Sequence, residues 1–408
     1  MNRTLYITYD GLSDPLGGSQ IIPYITSISS DNRKIIVLSF EKYDRFYDSK
    51  TNLDNILREH DILWKPLIFS SKFGLIGKIW DLGRMYFFGL FLAFKYSSIA
   101  VHARGHIAAQ VGLFIKTITR SKLIFDFRGL WVDERVDKSG WNLNSAIDKM
   151  QYLFFKKIEK KLIKKSDHII ALTEAVVPEL IRMGAKDIAK ITVIPCCADF
   201  NHFKIFSDES RFKIRENLGI PKNSIVLGYL GSIGSIYPID RVFRLLELSI
   251  KDNNNVYLFF ITQDLKLLSQ EMNRNLSNEL HKNVISTSAI RSEVPKLVSA
   301  MDVLISFYQP TYARLATSPT KMAECFASGI PVICNEEVGD VKSFVNELDA
   351  GIIVDPFCDE SISLNDQDIK SLIAKGGYRL RDKSKSIFSL DIASRSYINI
   401  YNDILEIE

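Results

Sequence analysis

The densest chemistry in the chain lies in Ser318-Pro319-Thr320-Lys321-Met322-Ala323-Glu324-Cys325-Phe326-Ala327-Ser328-Gly329-Ile330-Pro331-Val332-Ile333. Ser318 suits a helix N-cap and Pro319 the first turn, where a missing N–H costs nothing. Gly329 suits the C-terminal cap, and Pro331 cannot continue a helix, so Val332-Ile333 is expected to open a buried strand. The short helix so framed offers its N-terminus as an anion site. Lys321 falls in the first turn, where a cation is disfavoured unless an anionic ligand reverses the penalty. It is read either as a diphosphate contact or as a solvated surface lysine. Glu324 lies deeper, and its carboxylate can accept two hydroxyl hydrogen bonds from a sugar diol. The competing reading is an exposed helix glutamate.

A second candidate is Gly231-Ser232-Ile233-Gly234-Ser235, between an apolar run and a helix near Pro238. Glycines there let backbone N–H groups approach a phosphate, although such turns also occur with no ligand. In the first half, Asp10 and Asp14 bracket a glycine loop that ends in Gly17-Gly18-Ser19-Gln20. Gly17 and Gly18 can present backbone N–H groups, and the aspartates can orient hydroxyls or simply form turns. Two strand ends, His102-Ala103-Arg104-Gly105 and Asp126-Phe127-Arg128-Gly129, add imidazole, guanidinium and carboxylate groups. Arg128 with Asp126 is read as a phosphate-directed fork or as a structural ion pair. His102, Arg104 and Glu134 are further candidates. Asp366-Gln367-Asp368 lies in a polar stretch and is read as a surface feature, so no metal is expected.

These residues need elements to hold them, and the pattern supplies a repeating one. Apolar or β-branched runs at Thr4–Tyr9, Ile35–Phe40, Ile99–Ala103, Leu123–Phe127, His168–Leu172 and Ile191–Ile194 alternate with helical stretches. A break near residues 198–222 precedes a second series: Ile225–Leu230, Val256–Thr262, Val284–Thr287, Val303–Phe307, Val332–Cys334 and Gly351–Val354. Strand–helix alternation at this spacing predicts parallel, doubly wound sheets, and two series predict two lobes. The 408 residues suffice for about two domains, each with its own core.

Charge and composition narrow the function. Residues 1–198 carry a net charge of +9 and the rest −5, which favours an anionic surface or substrate for the first half. No recognised nucleic-acid motif accompanies that charge, so nucleic acid is not an expected partner. Five cysteines without a CxxC pair suggest reduced thiols in a cytoplasm, and Cys196-Cys197 are read as packing residues. Thr4–Tyr9 already reads as a strand, so no secretory leader is expected. Phe73–Phe94 is the most apolar window, yet its clean run, Met85–Phe94, is about half of the ~20 residues a span needs. It is read as a buried helix or as one dipping into a membrane surface. In Lys149–Lys165, Leu153, Phe154, Ile158 and Leu162 form an expected buried face. Lys156, Lys157, Lys160, Lys161, Lys164 and Lys165 crowd the other, as a solvated face or a contact with anionic lipid.

The Glu324 segment resembles the nucleotide-sugar-binding motif of glycosyltransferase family 4. Its second half, Glu324 with Ala327-Ser328-Gly329-Ile330-Pro331-Val332, is similar to the family's Glu followed by Ala-x-Gly-x-Pro-Val. Tyr9 to Gln20 resembles the family's first glycine-rich loop, and Phe125 to Arg135 a segment of bacterial surface-polysaccharide members. Val193-Ile194-Pro195-Cys196-Cys197-Ala198-Asp199 sits where the family has Val-Ile-Pro-Asn-Gly-x-Asp. The chain departs from the pattern at Ala316, where a first glutamate is usual, and in the Gly231 loop, which lacks the usual Arg and Lys. Lys321, Arg314, backbone N–H groups or a basic residue of the first lobe would then handle the leaving-group charge.

The resemblance implies an α/β protein of the GT-B fold: two Rossmann-like doubly wound lobes facing across a cleft. The expected lobes are 1–198, on the acceptor side, and 199–383, binding the nucleotide-sugar, with the segment 384–408 crossing back. The implied activity is retaining transfer of a sugar from a UDP- or GDP-sugar to a lipid-linked bacterial surface glycan such as lipopolysaccharide, O-antigen or capsule. A sugar-nucleotide epimerase or hydrolase, or a non-catalytic binding subunit, are the alternatives. Expected donor contacts are Glu324 (on the ribose), Ser318, Thr320, Lys321, Gly231, Ser232, Gly17 and Gly18. The expected catalytic residues are Arg128, Asp126 and Lys321, and the acceptor-side residues Asp10, Ser19, Gln20, His102 and Arg104. No cofactor or metal is implied, and the location expected is cytoplasmic, peripheral on the membrane's inner face through Lys149–Lys165.

Overall fold

In the computed structural model, which describes residues 2–30, 32–70, 74–253 and 255–405, the apolar runs become two parallel sheets. The first holds β1 (Asn2–Thr8), β2 (Arg33–Glu41), β3 (Leu63–Ile68), β4 (Ala100–Arg104), β5 (Lys122–Asp126), β6 (His168–Ala171) and β7 (Ile191–Val193). The second holds β8 (Ile225–Leu230), β9 (Val256–Ile261), β10 (Val284–Thr287), β11 (Val303–Ser306), β12 (Val332–Cys334) and β13 (Gly351–Ile353). Their orders are β3-β2-β1-β4-β5-β6-β7 and β10-β9-β8-β11-β12-β13. Both reverse direction beside their first strand, which places topological switch points at β1/β4 and β8/β11. In open sheets of this kind ligands bind outside the carboxyl ends of the strands at such points.

β3 escaped the sequence reading because it contains Lys65-Pro66. Proline is tolerated there because β3 lies at the sheet's edge, where one side of the strand needs no partner. The central strands are buried throughout, as β4, β6, β8 and β11 show along their whole length. That burial explains their continuous apolar runs.

The chain divides into one unit of Met1–Val136, Gly140–Pro195 and Leu390–Glu408, and another of Asp137–Ser139 and Cys196–Ser389. The divisions fall three residues before 198 and six after 384, and hydrogen bonds give the reason. Cys196 N–H donates to Ser318 Oγ (3.0 Å) and Ala198 N–H to the Phe388 carbonyl (2.8 Å), which ties this stretch into the second unit. The final helix, Leu390–Leu405, packs in the first unit against the helix Ile22–Ile28 and buries Tyr397, Ile400 and Tyr401. Phe73, which opens the apolar window, and residues 406–408 of the final segment lie outside the described residues.

Candidate active-site residues

In the second unit, the helix Thr320–Ala327 starts beyond β11 at the switch point, with Pro319 as its N-cap. Ser318 does not cap it, because its hydroxyl is occupied by Cys196 N–H. Gly329 stops the helix as expected, at φ +72°, where a side chain would be strained and would strike the Gly377 carbonyl. Every helix residue from Lys321 to Ala327 is buried, so neither Lys321 nor Glu324 is the exposed residue of the plainer readings.

Lys321 is only 9% exposed, and its Nζ has no hydrogen-bond partner among the described residues. Three tyrosine rings surround it, with centroids at 4.4 Å (Tyr237), 4.9 Å (Tyr229) and 5.2 Å (Tyr308). Ring faces attract a cation but do not replace water as acceptors, and burial pulls the amine's pKa down to about 7. Tyr237 follows the glycine loop and Tyr308 follows β11, so the amine sits where the two loops meet. The Gln309 N–H to Ile236 carbonyl bond (2.9 Å) joins those loops directly. The Gly231 loop is also held from within: Ile233 N–H donates to Asp264 (2.9 Å), and Tyr229 donates to the Ser232 carbonyl (2.7 Å). Gly231 has φ +119° and open space at its missing side chain, whereas Ser232 is exposed and Thr320 half-buried.

Glu324, one turn further along, accepts a hydrogen bond from Arg291 Nη1 at 2.5 Å. Burial raises the Glu324 pKa, and the Arg291 charge opposes that rise. Arg291 lies over the Phe203 ring at 4.8 Å. It is half-exposed, so this carboxylate is anchored by a charge that solvent and ligands can reach. Sequence gave no sign of Arg291, which is 33 residues away in the loop after β10. Arg314, considered for leaving-group charge, is buried and paired with Asp137 at 3.4 Å. Asp366 and Asp368 serve their own helix, the latter in a capping box with Asn365.

In the first unit a cavity of about 160 Å³ opens at the β1/β4 switch point, lined by Tyr9, Asp10, Arg104, His106, Arg128, Trp131 and Glu134 among others. Asp126, fully buried at the end of β5, supports it: Arg104 Nη1 reaches one carboxylate oxygen at 3.0 Å and Arg128 Nη1 the other at 3.5 Å. Burial alone would raise the Asp126 pKa, but the two arginines and His102 hold it well below the usual carboxylate range. Arg104 Nε is buried without a hydrogen-bond partner among the described residues.

The structure separates several residues that sequence had grouped with this site. His102 does not line the cavity. It is fully buried, its Nδ1 is 2.8 Å from the Tyr401 hydroxyl, and it stacks on Tyr397, both from the final helix. Burial lowers its pKa. Gly17, Gly18, Ser19 and Gln20 form a short helix, Pro15–Gln20, which spends Gly18 N–H on the Asp14 carbonyl. Gly17 is needed for packing, since a Cβ there would lie 2.3 Å from the Gly11 carbonyl. Ser19 bonds to the Pro15 carbonyl, and buried Gln20 accepts from Tyr24. Asp14 pairs with Lys42 and Arg45. Of the candidates between Asp10 and Gln20, Asp10 lines the cavity.

Two other features went unread in the sequence. Glu41, fully buried, accepts from Leu12 N–H (2.9 Å), Ser13 N–H (3.0 Å) and the Ser39 hydroxyl (2.5 Å), and so fixes the loop after β1. His106 in the cavity wall bonds to Glu159 at 2.8 Å. Glu159 also pairs with Lys156, which reaches Asp133 at 2.8 Å. The signal in the sequence is Glu159, an acid set among the lysines Lys156, Lys157, Lys160 and Lys161.

Residues 210–381 match the family model described as glycosyl transferases group 1. No curated protein matches the chain. Among solved structures, HepE of Anabaena in complex with UDP and glucose is similar at TM-score 0.72 and 16% identity, over 99% of this chain and 100% of that one. A glycosyltransferase of Rickettsia africae is similar at TM-score 0.69 and 18% identity, over 100% and 99%. Sucrose-phosphate synthase of Thermosynechococcus elongatus is similar at TM-score 0.69 and 14% identity, over all of both chains. The chain therefore has the α/β GT-B fold, and the match to the glycosyl transferases group 1 model lies within its second unit.

Proposed function

We propose that the protein is a retaining glycosyltransferase of family 4 that moves a sugar from a nucleotide-sugar to a lipid-linked bacterial surface glycan. The observation that carries the reading is the helix start at Thr320, inside the matched region, where an unpartnered buried amine and an Arg-anchored carboxylate lie one turn apart. A diphosphate supplies the acceptor oxygens that Lys321 lacks, and it reverses the cost of a cation at a helix N-terminus. Glu324 gives one bond to Arg291 and keeps lone pairs for a ribose diol. Similarity to a protein solved with UDP-glucose supports a uridine donor.

In the first unit, Arg104 and Arg128 bring positive charge to the cavity and Asp10 a hydroxyl acceptor. In the reaction proposed, an acceptor hydroxyl oxygen bonds to the anomeric carbon as the bond to the donor phosphate breaks. The hydroxyl proton passes to the departing phosphate oxygen. Lys321 stabilises the charge that develops there, and the protein's contribution is position and electrostatics. No resident metal takes part, and the enzyme works on the cytoplasmic side of the membrane, close to its lipid-linked acceptor.

Incubating the protein with UDP- and GDP-sugars, with and without lipid-linked acceptors, and analysing products by mass spectrometry tests the reading. A glycosylated acceptor with the anomeric configuration kept, formed also in excess EDTA, is the expected result. Donor consumption without acceptor, giving an epimer or free sugar, would contradict it.

A further inference from the structure

The helix Gly74–Lys95 was expected to be buried or to touch a membrane, and it is half buried. Met85, Leu92 and Asp81 face inward, and Gly89 closes against Val111 and Ile115 of the helix Gly105–Thr119. On the other side Ile76, Trp80, Phe87, Phe91 and Phe94 are each 49–77% exposed. Their spacing puts all five within roughly 60° of arc, since a helix turns about 100° per residue. A lone exposed apolar residue needs no explanation, but an ordered aromatic stripe does.

The stripe continues across neighbouring helices. Gly105–Thr119 packs against both Gly74–Lys95 and Ala146–Lys165, and adds exposed Phe114 and Ile118. Tyr86 meets Phe114 edge-on at 5.2 Å. Ala146–Lys165 is turned from the orientation expected: Leu153 and Phe154 are exposed, while Phe155, Glu159, Leu162 and Ile163 face inward and Lys156 is tied to acids. Its outer face therefore mixes Met150, Leu153 and Phe154 with exposed Lys157, Lys160, Lys161 and Lys164. Among the described residues no helix is long and apolar enough to cross a membrane.

We infer that this three-helix face is a monotopic docking surface for an anionic lipid bilayer, with the Phe87–Phe94 stripe as the inserted element. Charge complementarity selects the occupant. Four outward lysines beside the aromatics match acidic headgroups, with rings reaching the acyl boundary beneath them. A second copy would set the same lysines against one another. The inference does not depend on the reaction proposed, because its readout is binding.

The full chain is tested by sedimentation with vesicles of phosphatidylcholine alone and with equal phosphatidylglycerol, in low salt and in 0.5 M salt, roughly where screening becomes severe. The wild type is expected to bind the anionic vesicles and to keep part of that binding in high salt, with a blue shift of tryptophan fluorescence from Trp80. Replacing Phe87, Phe91 and Phe94 by Ser should weaken binding at least tenfold and abolish the salt-resistant part. Replacing Lys157, Lys160, Lys161 and Lys164 by Gln should remove the salt-sensitive part. Thermal unfolding of each variant checks the fold, and all these side chains are exposed. Two results would overturn the inference: vesicle binding by the Ser variant equal to wild type, or no vesicle binding by the wild type, whether it is a monomer or a dimer that those substitutions dissociate.

Discussion

Two clusters of buried charge stand at the two switch points, and they are finished to different degrees. In the first unit Asp126 is matched oxygen by oxygen with Arg104 and Arg128. In the second unit Lys321 is buried with no paired carboxylate and no hydrogen-bond partner among the described residues, walled by three rings. A charge whose partners come from the fold holds the fold together. A buried charge whose partners are missing carries an uncompensated cost, and that cost is what the proposed diphosphate would remove.

The sharpest way to break this contrast is Asp126→Ala. Removing the carboxylate leaves Arg104 buried and uncompensated, which should cost about 3–5 kcal/mol in urea unfolding. Asp126's folded pKa is depressed, so its contribution is full above its ordinary 3.8 and is lost only in stronger acid. A loss under 1 kcal/mol, of the size of an exposed pair, would remove its structural role.

A smaller effect is expected at the glycine loop, where packing and ligand readings differ. Gly17→Ala forces a methyl into backbone atoms and should cost about 1–3 kcal/mol. Gly18→Ala meets nothing within 4 Å and should be neutral or gain up to about 1 kcal/mol of helix stability. Equal stability with tenfold weaker donor binding in both variants would return these glycines to a ligand-binding role.

Glu324→Ala should weaken donor binding at least tenfold, about 1.4 kcal/mol, in titration calorimetry. Stability should change little, because Arg291 can turn to solvent. Unchanged donor affinity in a folded variant would remove Glu324 from the site.

Sequence disclosed what periodicity and local chemistry encode. The alternation of elements, the Gly329 stop and the helix carrying Lys321 and Glu324 were all legible, as was Asp126 with Arg128. Contacts between distant segments were not. Nothing in Ser288–Glu293 marks Arg291 as the partner of Glu324, and nothing near Glu41 ties it to Leu12 and Ser13. Ser318 matched an N-cap pattern, yet its hydroxyl serves Cys196 from a remote stretch. The lysine-rich helix was read with the wrong face inward, because a buried Lys156–Glu159–His106 chain looks in sequence like surface charge.

The central claim is that Lys321 is an unfinished charge awaiting a diphosphate, and its pH dependence tests this. The unfolded amine keeps its proton to about 10.5 and the folded one only to about 7, so stability without ligand is lowest below pH 7 and rises from there to about 10.5. Donor binding needs the charged amine and runs the other way. Calorimetry with UDP-glucose, whose diester phosphates do not titrate in this range, from pH 6 to 9 should show affinity highest at or below pH 7. Above that it should fall by up to about tenfold per unit. Lys321→Met should bind weakly at every pH and, ligand-free, gain about 1–3 kcal/mol through losing an unsatisfied buried donor. Donor affinity in Lys321→Met equal to wild type, with the same pH profile, would contradict the account.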